Sequence, residues 1–218
     1  MTLNINRKTL FVFDLDDTLF HEIDYLTSAF KHIASLFGEA TIFKRMLSWY
    51  QQKEDVFAML IREYPKSTYS KEQLLSIYRN HQPDIQLHAG ARQILDDLHA
   101  HQIKMLLVTD GRSITQRNKM ESLQITSYFE DLYISEETGT EKKDGITFQK
   151  IDTHYSGYTI FSIGDNINKD FEWPKKLGWT TIGLRNSGKN IHPQEILSQS
   201  CPPDYYIDSF TELYLQYE

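Results

Sequence analysis

Four short apolar segments of the chain run directly into polar side chains, and this feature constrains the fold more than any other. The segments are rich in β-branched or aromatic residues and lack clean alternation, which is typical of strands covered on both faces. The segments and the polar residues after them are Thr9–Phe13 before Asp14, Lys104–Val108 before Thr109, Leu132–Ile134 before Ser135, and Tyr158–Ile163 before Gly164 and Asp165. Two further segments, Thr180–Leu184 and Tyr205–Ile207, have the same character.

Helical patterns separate these predicted strands. Ile94, Leu95 and Leu98 form an apolar stripe before the second strand, and Ser113 is predicted to cap a helix after it. Alternation of strands and helices is typical of a parallel sheet that carries helices on both faces. The predicted fold class is therefore α/β, with a doubly wound, Rossmann-like parallel sheet.

The interval between the first two strands is too long for one crossover connection. Lys104 follows Phe13 by 91 positions (104 − 13), whereas a strand–helix–strand unit needs about 30 residues. Residues 20–87 show no convincing strand but several apolar stripes at helical spacing, such as that of Val56, Leu60 and Ile61. We expect residues 20–87 to form an inserted all-helical module, and residues 1–19 and 88–218 to form the α/β core.

Composition narrows the range of partners. The chain has 23 Lys+Arg against 30 Asp+Glu, a formal net charge of -7, and a diffuse acidic excess disfavours nucleic acid and anionic membranes. Its longest apolar run, Val56–Ile61, has six residues, too few for a membrane span or a signal peptide. The single cysteine, Cys201, cannot form an internal disulfide. We expect a cytoplasmic monomer or small homo-oligomer that binds neither nucleic acid nor membrane.

The polar residues at the strand ends are expected to meet. The carboxyl ends of parallel strands share one edge of the sheet, so Asp14, Asp16, Thr109 and Asp165 should converge there. A single aspartate at a strand end is more often a turn residue, but clustered carboxylates repel one another and suit a hard divalent ion such as Mg²⁺. Asp14 and Asp16 should also share a face of an extended segment, where one can act as nucleophile and the other as proton donor.

Four motifs follow one another along the chain. They are Asp14-Leu15-Asp16-Asp17-Thr18-Leu19, then Leu107-Val108-Thr109-Asp110-Gly111, then the stretch from Ser135 to Lys142, and finally Ile163-Gly164-Asp165-Asn166 with Asp170. In this order they resemble the four motifs of the haloacid dehalogenase-like superfamily of phosphohydrolases. The resemblance implies that the inserted helices form a C1-type cap, which is a mobile lid over the site.

The resemblance also implies a role for each matched residue. Asp14 would be the nucleophile that attacks phosphorus and becomes an aspartyl-phosphate. Asp16 would protonate the leaving oxygen and then activate water, while Lys142 would balance the negative charge. The implied phosphate-binding residues are Thr109, Asp110 and Gly111; the implied Mg²⁺ ligands are Asp14, Asp165 and the carbonyl of Asp16; and the implied supporting residues are Thr18, Asn166 and Asp170.

The chain departs from the family pattern at two places. A proline often follows the lysine of the third motif, but here a second lysine, Lys143, follows Lys142. The spacing after Gly139 favours Lys142, and Lys143 stays open as the site lysine. Pro174 also falls four positions beyond Asp170 (174 − 170), inside an expected helix, where a proline is costly unless the helix begins late or kinks.

The sequence therefore predicts a Mg²⁺-dependent phosphatase, a phosphoric monoester hydrolase that acts on a small phosphorylated metabolite. Sugar phosphates, nucleoside monophosphates and phosphoglycolate-like acids all stay open as substrates. A phosphomutase is an alternative, because the motifs do not determine which acceptor receives the phosphoryl group. A non-catalytic phospho-receiver or binding protein is a second alternative, although a receiver domain has no need of the helical insert.

Overall fold

The computed structural model describes residues 1–65, 67–192, 194 and 201–218. In this part of the chain the strands are β1 (Thr2–Ile5), β2 (Thr9–Phe13), β3 (Lys104–Thr109), β4 (Asp131–Ile134), β5 (Thr159–Gly164), β6 (Thr180–Leu184), β7 (Tyr205–Ile207) and β8 (Tyr214–Tyr217). The helices are α1 (Glu22–Leu36), α2 (Ala40–Gln51), α3 (Val56–Glu63), α4 (Lys71–Asn80), α5 (Ala91–Ala100), α6 (Ser113–Leu123), α7 (Ser135–Thr138), α8 (Ile146–His154) and α9 (Glu172–Lys176).

Six strands form one parallel sheet in the order β4-β3-β2-β5-β6-β7. The central strand, β2, is buried at all five residues. Phe11 and Phe13 belong to the apolar cluster on one face of the sheet, and Leu10 and Val12 to the cluster on the other. Burial on both faces explains the continuous apolar sequence of this strand. The predicted α/β fold class is confirmed.

A second, two-stranded parallel sheet was not predicted from the sequence. It pairs β1 with β8, and Thr2 lies opposite Tyr214. Leu3 and Ile5 point into the core while Thr2 and Asn4 are exposed. This alternation over four residues is too short to indicate a strand by itself, and the partner strand lies at the other end of the chain.

The helices α1–α4 all lie within residues 20–87. They have a core of their own, in which Phe30, Ile42, Leu60 and Leu74 are buried away from the sheet. An antiparallel bridge pairs Phe20 with Leu87, so the chain leaves and re-enters the sheet layer at neighbouring points. Treating residues 20–87 as a cap domain remains our proposal.

Two helix starts differ in detail from the expectation. α6 begins at Ser113 itself, with Arg112 at the N-cap position, so the prediction that Ser113 caps the helix is wrong by one residue. The Ser113 N–H instead donates to Glu136 Oε2 at 2.8 Å. α9 begins late, at Glu172, which puts Pro174 in the first turn, where no intrahelical N–H bond is lost. Among the described residues, none of the helices has the length and apolar character needed to cross a bilayer.

Candidate active site

Asp14 lies directly beyond the end of β2 and is 8% exposed. Its N–H donates to the carbonyl of Ile163 at 2.9 Å, which fixes the backbone against β5. Thr18 Oγ1 donates to Asp14 Oδ2 at 2.8 Å, and the Lys142 ammonium donates to Oδ1. Both carboxylate oxygens are therefore held, and Thr18 has a direct structural link to Asp14.

The structure brings Lys142, and not Lys143, to Asp14. Lys142 is 6% exposed, and its Nζ also donates to Asp170 Oδ1 at 2.7 Å. Burial opposes the charge on Lys142, but the charges and hydrogen bonds of the two carboxylates outweigh burial and raise its pKa. Lys143 is exposed and pairs with Glu141 Oε2 at 2.9 Å. Lys142 therefore stays charged beside Asp14.

The side chain of Asp110 holds the loop that carries Lys142. Its Oδ1 accepts the Lys142 N–H at 3.0 Å, and its Oδ2 accepts a hydrogen bond from Lys169 Nζ at 3.2 Å. The family resemblance had implied only a phosphate-binding role for Asp110. Because the Asp110 carboxylate accepts the backbone N–H of Lys142, it positions the loop that carries Lys142.

Asp14, Asp165 and Asp170 form an acidic group whose ligand oxygens lie within 4.8 Å of one another. Asp170 Oδ2 accepts the N–H groups of Asp165 at 3.1 Å and Asn166 at 2.8 Å. Asp170 therefore belongs to the central acidic group, whereas the family resemblance implied only a supporting role for it. Asn166 contributes its backbone N–H to the position of Asp170.

The charges of this group suit a divalent cation. Burial, the nearby Asp170 and Asp14 raise the pKa of Asp165 to about 9. Burial likewise raises the pKa of Asp14 to about 7, although Lys142 opposes that shift. Buried carboxylates that destabilise one another in this way gain most from a positive ion among them. Because the ligand atoms that these residues offer are all carboxylate oxygens, the residues fit Mg²⁺.

Asp16 is held from α6 by two side chains that the sequence analysis did not identify. Lys119 Nζ donates to Asp16 Oδ1 at 2.7 Å, and Gln116 Nε2 donates to Asp16 Oδ2 at 2.8 Å. Lys119 is 3% exposed and Gln116 is 1% exposed. The available signal was the (i, i+3) spacing of these two polar residues, which places them on one face of the helix.

Of the predicted phosphate-binding residues, Thr109 is linked to Asp16 through Gln116, which donates to both. Thr109 is buried, and its Oγ1 accepts a hydrogen bond from Gln116 Nε2 at 2.6 Å. The Gly111 N–H donates to Ser135 Oγ at 2.9 Å. Binding of a phosphoryl oxygen by this amide would therefore require the bond to Ser135 to be exchanged.

A loop after β6 closes the far side of the site. Asn190 Nδ2 donates to Asp165 Oδ2 at 2.8 Å, and the Ile191 N–H donates to Asp17 Oδ2 at 2.9 Å. Asp17 Oδ1 in turn accepts the N–H of Glu22, the first residue of α1, at 2.9 Å. Asn190 was not predicted, because a single asparagine in a polar loop carries no signal of its own.

These groups surround a cavity of about 90 Å³, which has room for about three water molecules. Its described walls include Asp14, Asp16, Thr109 and Asp165, so the structure brings together the four residues that were expected to converge. Glu22 reaches the cavity from α1, and burial, reinforced by Asp16, raises its pKa to about 8. The cavity can hold a phosphoryl group, and most of a larger organic phosphate must lie outside it.

Comparison with known proteins defines the class. Residues 11–184 match the family described as haloacid dehalogenase-like hydrolase, which is most of the chain. The chain therefore belongs to this family, and the resemblance inferred from the four motifs is confirmed.

Two curated relatives have named activities. The pyrimidine 5'-nucleotidase PynA of Streptococcus pneumoniae is 26% identical over 176 residues, which are 79% of this chain and 66% of the relative. The glyceraldehyde 3-phosphate phosphatase of Methanocaldococcus jannaschii is 32% identical over 124 residues, 55% of this chain and 51% of the relative. This chain spans less than two thirds of the length of either protein.

Solved structures share the fold. The HAD-hydrolase YfnB of Bacillus subtilis, in a crystal form bound to magnesium, superimposes with a TM-score of 0.66 at 19% identity, covering 94% of this chain and 96% of that one. A HAD phosphatase of Thermococcus onnurineus gives a TM-score of 0.57 at 18% identity, covering 94% and 95%. At these identities the likeness concerns architecture alone.

Proposed function

We propose that the protein is a Mg²⁺-dependent phosphatase that hydrolyses a small phosphomonoester through an aspartyl-phosphate. One observation carries this proposal: Asp14, buried and held by the Lys142 ammonium, shares a small cavity with a second carboxylate, Asp16. A nucleophile with a fixed positive partner and an adjacent acid are the groups that phosphoryl transfer to a side chain requires.

The proposed reaction has two steps. In the first, an oxygen of Asp14 attacks phosphorus, the bond between phosphorus and the substrate oxygen breaks, and that oxygen takes a proton from Asp16. In the second, water attacks the aspartyl-phosphate and gives its proton to Asp16, and the bond between phosphorus and the Asp14 oxygen breaks to release inorganic phosphate. Lys142 lies where it can offset negative charge in both steps.

The proposed ligands of Mg²⁺ are Asp14, Asp165 and the carbonyl of Asp16, and Asp170 belongs to the same acidic group. When bound, Mg²⁺ would supply positive charge to the phosphoryl oxygens and reduce repulsion between the carboxylates. Asp170 already accepts two backbone N–H groups and the Lys142 ammonium, so we assign it to positioning.

The substrate class rests on the size of the cavity and on the relatives. One relative is named for pyrimidine nucleotides and another for glyceraldehyde 3-phosphate, which shows that related sequences accept different leaving groups. Since the cavity holds little beyond a phosphoryl group, we propose that residues 20–87, as a cap, contact the rest of the substrate. We also propose that the protein acts in the cytoplasm on a free metabolite.

A metabolite screen tests the proposal. Purified protein with Mg²⁺ is incubated with nucleoside monophosphates, sugar and triose phosphates and p-nitrophenyl phosphate, and inorganic phosphate is measured. We expect release from at least one ester, none from Asp14→Asn, and normal release from Asp131→Asn, which makes the same change at the start of β4, on the opposite edge of the sheet. Stable phosphorylation without turnover would favour a receiver, and transfer between sugar phosphates without net release would favour a mutase.

A further inference from the structure

α6 presents a buried polar face to the site, where most helices of an α/β core present an apolar one. Gln116 and Lys119 are buried on this face, and Asn118 is buried toward the end of α4. Burying an ammonium is costly unless it is paired and hydrogen-bonded. Lys119 is paired with Asp16 Oδ1, while Gln116 bonds Asp16 Oδ2. Both oxygens of the Asp16 carboxylate therefore accept hydrogen bonds from side chains of α6.

Lys119 also touches the inserted helices. Its Nζ lies 4.6 Å from the centroid of the Tyr25 ring, which belongs to α1, and 5.7 Å from that of Phe20. Attraction between the ammonium and these ring faces adds to the ion pair with Asp16. The position of Lys119 thus depends on α1 as well as on Asp16.

The same helix carries the contacts that join the end of α4 to the sheet layer. Thr115 Oγ1 donates to the carbonyl of Arg79 at 3.1 Å, and Asn118 Nδ2 donates to the carbonyl of Asn80 at 3.0 Å. The α6 helix therefore bonds both Asp16 in the site and the last residues of α4 in the helical insert. A shift of the insert would move the surroundings of Lys119.

We propose that Lys119 and Gln116 are positioning residues for Asp16, and that α6 and Tyr25 make the position of Asp16 depend on the docking of the cap. This inference rests on the proposed function. Lys119 and Gln116 donate to the two oxygens of Asp16, so we assign them to positioning that carboxylate.

The test compares two esters in the Lys119→Met variant, which removes the charge but keeps an unbranched chain that fits the same space. An alkyl phosphate needs a well-placed acid for its leaving oxygen, whereas p-nitrophenyl phosphate does not. With the fastest alkyl phosphate of the metabolite screen, we expect kcat to fall on the order of a hundredfold and KM to stay within about twofold. The rate of the first step with p-nitrophenyl phosphate should fall only about threefold, because its leaving oxygen does not need the acid.

Two further variants complete the series. Arg117→Met changes an exposed cation on the same helix that pairs with Glu137, and both esters should retain wild-type kinetics. Tyr25→Leu removes the ring beneath Lys119 and should leave Asp16 partly misplaced. We therefore expect kcat to fall selectively for the alkyl ester, but only on the order of tenfold. Equal losses for the two esters in folded Lys119→Met, or a rise in KM with kcat unchanged, would overturn the proposal.

A structural measurement keeps this inference separate from the proposed function. Crystal structures of wild type and Lys119→Met should show the Asp16 carboxylate ordered against Gln116 in the first and rotated away or disordered in the second. An unchanged Asp16 in both would overturn the positioning role. A wild-type protein that releases no phosphate from any ester would contradict the proposed function, while this comparison would still decide the position of Asp16.

Discussion

Gly164, the last residue of β5, packs directly against the carboxylate of Asp170. A Cβ placed on Gly164 would lie 2.6 Å from Asp170 Oδ2 and 2.7 Å from its Cβ, which is closer than non-bonded atoms approach. Asp170 in turn receives the Lys142 ammonium at 2.7 Å. The absence of a side chain at Gly164 therefore sets where Lys142 can lie.

This contact gives the first prediction. Gly164→Ala should displace Asp170 and with it Lys142, lowering kcat on the order of a hundredfold, since small misplacements of catalytic groups have effects of that size. Gly183→Ala is the matched control: Gly183 lies opposite Gly164 in β6, and its added Cβ would meet Pro203 Cγ at 2.6 Å instead. Overpacking should destabilise both variants by about 1–3 kcal/mol. Equal kcat losses in the folded fractions would contradict the prediction.

The second prediction concerns the metal. Treatment with EDTA should abolish phosphatase activity, and Mg²⁺ should restore it, because the carboxylates of Asp14 and Asp165 lie close together and repel one another without a cation. Ca²⁺ should restore little activity, since its longer bonds and higher ligand number would misplace the nucleophile. EDTA already saturated with Mg²⁺ serves as the control and should leave the rate unchanged. Full activity after rigorous chelation would contradict the proposed cofactor.

The third prediction separates the two adjacent lysines. Lys142→Ala removes the ammonium that contacts Asp14 and Asp170, and kcat should fall on the order of a hundredfold or more, as for other lost electrostatic groups. Lys143→Ala removes an exposed cation paired only with Glu141 among its described contacts, and kcat should change less than about twofold because exposed pairs contribute little. Steady-state kinetics in which Lys143→Ala is the more damaged variant would reverse the assignment.

The fourth prediction concerns stability at acid pH. His88 Nε2 is buried and has no hydrogen-bond partner in the described part of the chain, and its ring meets that of His21 edge-on at 4.1 Å. Burial, with His21, lowers the pKa of His88 to about 4. An unfolded histidine titrates near pH 6.5, so the unfolded state takes up the proton first. Folding stability due to neutral His88 is therefore complete above about pH 6.5 and is lost as the pH falls toward about 4.

His88→Asn provides the comparison, since the asparagine amide is polar but does not titrate. Between about pH 7 and pH 4.5, wild type should lose on the order of 1–2 kcal/mol more unfolding free energy than the variant, allowing for the partial exposure of the ring. Urea denaturation at the two pH values measures the difference. If both proteins lose the same amount, protonation of His88 does not control stability.

The sequence predicted the sheet well because the signal for each core strand is local. The segments Thr9–Phe13, Thr180–Leu184 and Tyr205–Ile207 have the same bounds in the structure. The convergence of Asp14 and Asp165 followed from the rule that parallel strands end at one edge. β1 was missed because its pairing with β8 depends on two ends of the chain meeting, which no local pattern records.

The site was predicted less completely, for a physical reason. Lys119 and Gln116 are polar residues on a helix, and such residues are usually exposed to solvent. Their burial depends on tertiary contacts, among them the hydrogen bonds that both donate to Asp16. The side chain of Asp110 illustrates the same limit, because its bond to the Lys142 N–H joins two loops whose relative position the sequence does not specify.

The last prediction tests the division of labour between Asp14 and Asp16. Asp14→Asn keeps the size of the side chain but removes the anionic nucleophile that contacts Lys142, so no aspartyl-phosphate can form with any ester. Asp16→Asn leaves that nucleophile in place and removes the proton that a poor leaving group needs. The first step should therefore slow more for an alkyl phosphate than for p-nitrophenyl phosphate, whose leaving oxygen needs little protonation.

Asp16→Asn should also slow the attack of water on the aspartyl-phosphate, because the base for that step is lost. With p-nitrophenyl phosphate the variant should therefore release a burst of p-nitrophenol, close to one equivalent per site, followed by slow turnover, as expected when a covalent intermediate accumulates. Rapid-quench measurements on both variants decide the matter, and the trapped phosphoryl group should be absent from Asp14→Asn. A burst in Asp14→Asn, or equal first-step losses for both esters in Asp16→Asn, would show that the two carboxylates have other roles.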